Sequence, residues 1–128
     1  MDDAPDPSWC RHQIVEAARL AGFDFPDQQS ALPSFVHLPD EVIIGVEEAR
    51  RFAPRAHSAG SITSDQLALV IEIDQLLDAL PVDQDYPAAL RQMESASEWA
   101  TLRMKARALL TALGEELGPP DPGTVVYV

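Results

Sequence analysis

Apolar residues recur every three or four positions along most of the chain, a spacing that predicts helices rather than strands. The first stripe follows Ser8, a good N-cap, and stops at Gly22. Its members are Cys10, Ile14, Ala17 and Ala21. We therefore expect a first helix over about residues 9–21, preceded by a loose acidic lead-in over residues 1–7.

The segment of residues 22–38 interrupts the helical spacing. Pro26 and Pro33 oppose a long regular element, yet the segment carries three phenylalanines and is too apolar for a free linker. We expect a structured loop whose phenylalanines pack on the helices. A short strand over residues 35–38 is compatible with the same pattern.

A second helix is predicted from Pro39 to Pro54. Proline suits the first helical turn, and the charges at both ends match the helix dipole. Its buried stripe consists of Val42, Val46, Ala49 and Ala53. A hairpin that pairs residues 35–38 with residues 41–44 is the alternative. We favour the helix because its end charges agree with its spacing, and we expect a loop over residues 54–62.

The third helix has the clearest start in the chain. Thr63 and Gln66 have the spacing of a capping box, in which each side chain bonds the other residue's backbone N–H. Pro81 should stop the helix. The predicted apolar stripe between them is Leu69, Ile73, Leu76 and Leu80.

A further helical stretch is expected from Pro87, with Asp85 as its N-cap. Ser95 and Glu98 have the spacing of a second capping box. This second box predicts either a kink near residue 95 or two successive helices. Beyond it, apolar residues continue at helical steps until Gly114 or Gly118 ends the last helix.

These elements predict an all-α fold, a compact bundle of four to five helices with one Phe-rich structured loop. We expect a single domain over residues 1–128. The tails at residues 1–7 and 119–128 should be loosely ordered. The closing Thr-Val-Val-Tyr-Val sequence is compatible with a short C-terminal edge strand.

The charge balance narrows the classes of partner. The 128 residues include 9 Lys and Arg against 21 Asp and Glu, a net charge of −12. Nucleic acids and anionic membrane surfaces are bound by clustered cations, so both are disfavoured. A basic protein partner is favoured instead. With no secretory signal and no long apolar run, the expected location is cytoplasmic.

The chain offers little catalytic chemistry. Cys10 is its single cysteine, which fits a core thiol better than a nucleophile. His12 and Glu16, one helical turn apart, are two metal ligands without a third and are interpreted as a surface pair. His57 beside Ser58 lacks the context of a hydrolase nucleophile. We therefore expect no catalytic residue, no cofactor and no metal, and a protein that is not an enzyme.

The most informative pattern is the distribution of charge. Residues 56–90 contain no Lys or Arg. Asp74 and Asp78 are four residues apart and should share a helix face with Leu67 and Ile71. This face is either packed inside the bundle or an exposed apolar spot ringed by carboxylates. On the second interpretation the candidate partner-binding residues are Leu67, Ile71, Glu72, Asp74, Asp78, Asp83 and Asp85.

Three functional hypotheses follow. The first is an acidic binding protein that masks a basic partner, by analogy with immunity proteins and antitoxins that neutralise bacterial toxins. The second is a helical adaptor or scaffold domain that self-associates or docks in a larger bacterial complex. The third is a small enzyme or a metal-dependent protein built on His12, Glu16 and the paired aspartates.

Overall fold

The computed structural model describes residues 5–118 and confirms the all-α class. Six α-helices lie in this part of the chain, where four or five were expected. A 3₁₀ turn at Leu77–Ala79 follows the fourth helix directly. The helices are α1 (Pro7–Gly22), α2 (Phe25–Ala31), α3 (Leu38–Ser58), α4 (Ser64–Leu76), α5 (Tyr86–Ser95) and α6 (Ser97–Leu113). The proposed C-terminal edge strand lies outside the described residues.

Four helices surround the main core. α1 packs against α3 and α6, and α4 packs against the same two helices from the other side. The shorter α2 contacts α1, and α5 contacts α3 and α6. The side chains fully enclosed between these helices include Ile14, Val42, Met93, Trp99 and Leu102. Across residues 5–118 no helix is long and apolar enough to cross a bilayer.

The segment expected as a structured loop contains α2. Phe25 is buried, and the fully buried Gln28 anchors the helix. The Gln28 Nε2 donates to the Leu20 carbonyl at 3.0 Å, and its Oε1 accepts from Arg103 Nη2 at 3.1 Å. The expectation that the phenylalanines pack inward fails at Phe35, which is 77% exposed. Residues 35–38 form a turn and the start of α3, not a strand.

α3 continues beyond Pro54, where the sequence predicted its end. An internal proline costs a helix about 3 kcal/mol. Continuing the helix keeps Ala56 fully buried, which extends the stripe of the preceding turns and offsets part of that cost. The helical conformation of residues 41–44 shows that the hairpin alternative is wrong.

Hydrogen-bonding side chains cap four helix starts in the described residues. At the start of α3, His37 Nδ1 accepts from the Asp40 N–H at 3.3 Å. Asp6, rather than Ser8, caps α1 and accepts from the Ser8 N–H at 2.7 Å. The capping box of α4 is confirmed: the Gln66 N–H donates to Thr63 Oγ1 at 3.1 Å, and the Thr63 N–H donates to Gln66 Oε1 at 2.8 Å. The predicted Asp85 cap of α5 is also confirmed.

The predicted second capping box is wrong. Ser95 is the last residue of α5, and its hydroxyl donates to the Arg91 carbonyl at 2.7 Å. Ala96 is extended and separates α5 from α6, so the alternative of two successive helices holds. Gly114 ends α6 with a φ of 71°, a left-handed conformation that glycine adopts without strain.

The buried stripe of α4 begins at Val70, one position after the predicted start at Leu69. Val70 and Ile73 are the buried residues of the helix, while Leu69 and Leu76 are half-buried. α4 therefore presents its flanks as well as one face to its neighbours. The position of these apolar residues also affects the surroundings of the polar residues Glu72 and Asp74 on the same helix.

Candidate functional site

The carboxylates singled out from the sequence follow one another along a single part of the fold. They run from the second half of α4 through the 3₁₀ turn into the loop before α5. We call residues 72–85 the acidic segment; its carboxylates are Glu72, Asp74, Asp78, Asp83 and Asp85. Asp78, Asp83 and Asp85 are exposed, whereas Glu72 and Asp74 are half-exposed.

Two of these carboxylates oppose the dipole of α4. The carboxyl end of a helix carries partial negative charge, and a charged side chain there changes stability by about 0.3–1 kcal/mol. Asp74 lies in the last turn of α4, which has no basic residue, and Asp78 lies just beyond it. By contrast, α1 and α3 carry Arg19 and Arg55 in their last turns. The fold therefore holds negative charge where helix electrostatics disfavour it.

The other three carboxylates have contacts that serve the fold. Glu72 Oε1 lies 2.7 Å from Lys105 Nζ on α6. Asp85 Oδ2 accepts from the Ala88 N–H at 3.1 Å and caps α5. Asp83 Oδ1 accepts from the Asp85 N–H at 2.8 Å. Within the part of the chain that the structure describes, neither Asp74 nor Asp78 forms an ion pair.

The apolar residues of the candidate site are less exposed than a free anchor would be. Leu67 is half-buried and packs against the main core. Ile71 is also half-buried. Val82, which the sequence did not single out, is 37% exposed in the loop before Asp83. The apolar surface beside the carboxylates is therefore small, and Ile71 and Val82 contribute to it.

The cations of α1 and α6 are bound within the fold. Arg11 donates to the Leu113 carbonyl at 2.9 Å, and Arg19 donates to the Glu116 carbonyl at 3.1 Å. Both also pair with Glu115. Arg107 Nε donates to the Gly22 carbonyl at 2.6 Å, and its Nη2 pairs with Asp24 at 2.7 Å.

Arg103 completes this set. Besides Gln28, its guanidinium donates to the Met93 carbonyl, so it joins α2, α5 and α6. Burial lowers the pKa of Arg103 from its usual value. We call Arg11, Arg19, Arg103 and Arg107 the arginine cluster. Its members contact carbonyls and carboxylates of the fold, and in residues 5–118 none of these contacts is with a carboxylate of the acidic segment.

The other residues considered from the sequence for catalysis or metal binding have contacts that serve the fold. Cys10 is fully buried, as expected of a core thiol, and desolvation raises its pKa. Glu16 is buried rather than at the surface, and its carboxylate pairs with Arg19 at 2.8 Å. Among residues 5–118, no three His, Cys, Asp or Glu side chains converge in a group that could hold a metal ion.

The one serine–histidine contact in the described range differs from the pairing weighed from the sequence. His57 Nε2 lies 3.0 Å from Ser64 Oγ, while the Ser58 hydroxyl donates to the Pro54 carbonyl. Ser64 is exposed and opens α4. The contact thus joins the carboxyl end of α3 to the amino end of α4, which is a structural role.

Sequence reasoning missed a groove between α2, the turn before α3 and α5. Its volume is about 220 Å³, and its lining includes Leu32, Val36, Leu38, Tyr86 and Leu90. The Tyr86 hydroxyl donates to the Val36 carbonyl at 3.3 Å and accepts from the Leu38 N–H at 3.4 Å. These residues lie about 50 positions apart in sequence, so no local pattern could have indicated the groove.

Comparisons with protein-family models, curated proteins and solved structures found no match to this chain.

Proposed function

We propose that this chain is a non-enzymatic binding protein that masks a basic protein partner, in the manner of an immunity protein or antitoxin that inhibits a bacterial toxin. The acidic segment is its partner-binding surface. Asp74 and Asp78 supply charge that the fold leaves uncompensated. Glu72, Asp83 and Asp85 extend the negative surface, and Ile71 with Leu67 and Val82 provides apolar contact.

The observation that carries the proposal is the position of Asp74 and Asp78. They repel each other at helical spacing, oppose the dipole of α4 and form no ion pair in the described structure. Charge that costs folding stability is typical of a binding surface, where a partner's Arg and Lys provide the compensation. Such charge also accelerates the encounter of oppositely charged proteins.

The test uses the product of the gene adjacent to the one encoding this chain, which the proposal expects to be a basic, toxic protein. Co-expression should restore growth, and the two purified proteins should associate more slowly as NaCl is raised. In surface plasmon resonance at low salt, the double variant Asp74→Lys/Asp78→Lys should lower the association rate by about tenfold or more.

A matched control reverses two exposed carboxylates outside the acidic segment, Glu47→Lys and Glu94→Lys. It changes the net charge equally, so a rate reduction of less than about threefold would show that position matters beyond total charge. Equal reductions in the two variants would contradict the assignment of the surface. A neighbouring gene whose product is neither basic nor toxic would contradict the inhibitor role.

A helical adaptor or scaffold that self-associates is the second candidate. The exposed apolar side chains of Phe35 and Met104, 77% and 61% exposed, favour it. An apolar association of this kind would persist at high ionic strength. Sedimentation velocity over a range of protein and NaCl concentrations separates the two candidates, because only the adaptor predicts a salt-resistant oligomer.

A further inference from the structure

The groove beside Tyr86 has walls that are held in place from several sides. Leu32, Val36 and Leu38 are almost fully buried and supply an apolar floor. Tyr86 bridges the backbone of two of these residues through its hydroxyl, and its ring packs on His37 with centroids 4.7 Å apart. A groove fixed in this way exists before a ligand arrives, which lowers the entropic cost of binding.

The size of the groove limits what it can hold. Pockets for small ligands and cofactors usually measure about 300–1,000 Å³. At about 220 Å³ this groove is smaller, and it is open to solvent along one side. It therefore suits one large apolar side chain of a protein better than a cofactor. Phe35, 77% exposed between two lining residues, extends the apolar surface at the rim.

The charges around the groove indicate which kind of protein segment would carry the apolar side chain that binds there. Both helices that begin here have carboxylates at their amino ends: Asp40 and Glu41 on α3, and Asp85 as the cap of α5. These carboxylates neutralise the helix dipoles that would otherwise attract an anion. Asp85 is also the last carboxylate of the acidic segment, so the groove continues the surface proposed above.

We propose that the groove binds a leucine or phenylalanine side chain from a cationic segment of the protein partner, with flanking Lys or Arg residues beside Asp85 and Asp40. This inference rests on the proposed function and adds an apolar anchor to it. Interfaces commonly combine one buried aromatic or aliphatic anchor with surrounding polar contacts. Arg91, exposed next to Leu90, is the one cation adjacent in sequence to a lining residue.

The test uses ¹⁵N-labelled full-length protein and a synthetic peptide, Gly-Lys-Arg-Phe-Arg-Lys-Gly with blocked ends. Titration should shift the amide resonances of Val36, Leu38, Tyr86 and Leu90. Replacing the peptide's phenylalanine by serine should weaken binding by about tenfold, since the buried ring is lost. A peptide with glutamates in place of the four cations should produce no shifts at these residues.

Three variants locate the binding site. Ser34→Trp places a large side chain at the groove and should abolish the shifts, and Phe35→Ser should weaken binding by about three- to tenfold. Met104→Ser removes a comparably exposed apolar side chain from α6 and serves as the matched control, with unchanged affinity. Arg91→Gln should strengthen binding of the cationic peptide, because one repulsion is removed.

Several outcomes would overturn the inference. Equal binding of the glutamate peptide would remove the role of charge, and shifts confined to other residues would place the peptide elsewhere. Concentration-dependent shifts at the groove without peptide would identify a second copy of the chain as its occupant. If Asp74→Lys/Asp78→Lys abolishes growth rescue while Ser34→Trp preserves it, the groove inference fails and the proposed function stands. If the peptide binds in the groove but the chain does not rescue growth, the groove inference stands and the proposed function fails.

Discussion

The arginine cluster and the acidic segment use charge in opposite ways. Arg11 and Arg19 bind carbonyls and carboxylates at the carboxyl end of α6, where positive charge also complements the helix dipole. Asp74 and Asp78 lie at the carboxyl end of α4, where negative charge opposes it. One region contributes its charge to folding, and the other keeps its charge available at a cost to folding.

This difference explains how a strongly acidic chain can present a concentrated negative surface. Within residues 5–118, which include all nine Lys and Arg side chains, seven of these side chains contact a carboxylate or a backbone carbonyl. Of these contacts between described residues, the one from Lys105 to Glu72 reaches the acidic segment. The net charge of −12 is spread unevenly, because residues 56–90, which include the acidic segment, contain no Lys or Arg.

The largest expected effect concerns Arg103. The variant Arg103→Met keeps the aliphatic stem but leaves the buried Gln28 Oε1 and the Met93 carbonyl without their donor. We expect the free energy of unfolding to fall by about 3 kcal/mol, measured by urea denaturation followed by circular dichroism. Arg91→Met, at an exposed position, should change it by less than about 0.5 kcal/mol. If both variants lost similar free energies of unfolding, the arginine cluster would contribute no more to folding than an exposed arginine does.

A prediction with a smaller expected effect compares two carboxylates. Glu115 pairs with the arginine cluster, and Asp78 belongs to the acidic segment. Glu115→Gln removes the ion pairs with Arg11 and Arg19 and should lower the free energy of unfolding by about 0.5–1 kcal/mol. Asp78→Asn should leave it unchanged or raise it by a few tenths of a kcal/mol, roughly the cost of the unfavourable dipole and of the neighbouring Asp74.

The dependence of stability on NaCl concentration tests the same comparison between Glu115 and Asp78. Both effects should shrink as NaCl is raised, because screening weakens the attraction around Glu115 and the repulsion around Asp78 alike. A loss of stability in Asp78→Asn as large as that in Glu115→Gln would mean that Asp78 serves the fold. The distinction between the two regions would then disappear.

Features with a local signal were predictable from the sequence. The Thr63–Gln66 capping box and the Asp85 cap depend on residues three positions apart, so reading the chain in order finds them. A local signal also narrowed the end of α6 to Gly114 or Gly118, and the left-handed turn that favours glycine falls at Gly114. These signals indicate the helical class and fix the starts of α4 and α5.

Features that depend on distant residues were not predictable. α2 is only seven residues long, and its Gln28 gains its partner Arg103 from 75 positions away. α3 passes Pro54 and brings Ala56 into the core, a contact that depends on the rest of the fold. For the candidate site, the cation-free stretch was visible in the sequence, whereas the pairing of Glu72 with Lys105 required the fold. The groove depends on Tyr86 reaching Val36, which no spacing rule anticipates.

The smallest effect concerns Asp6, a carboxylate at the amino end of a helix, where the dipole favours negative charge. Hydrogen bonds from Ser8, together with one from the Trp9 backbone, lower its pKa below the ordinary value of 3.8. A lowered folded-state pKa means that the ionised carboxylate stabilises the fold above pH 3.8, and that this contribution is lost as the pH falls through the folded-state pKa.

The variant Asp6→Asn separates this charge from the cap itself, since asparagine also accepts the bond from the Ser8 N–H. The wild type should be slightly more stable at neutral pH, and thermal unfolding measured from pH 7 downward should show the difference vanishing in acid. A difference that persisted in acid would assign the effect to packing instead of charge. Asp6 would then no longer illustrate the favourable arrangement that Asp74 and Asp78 reverse at the opposite end of a helix.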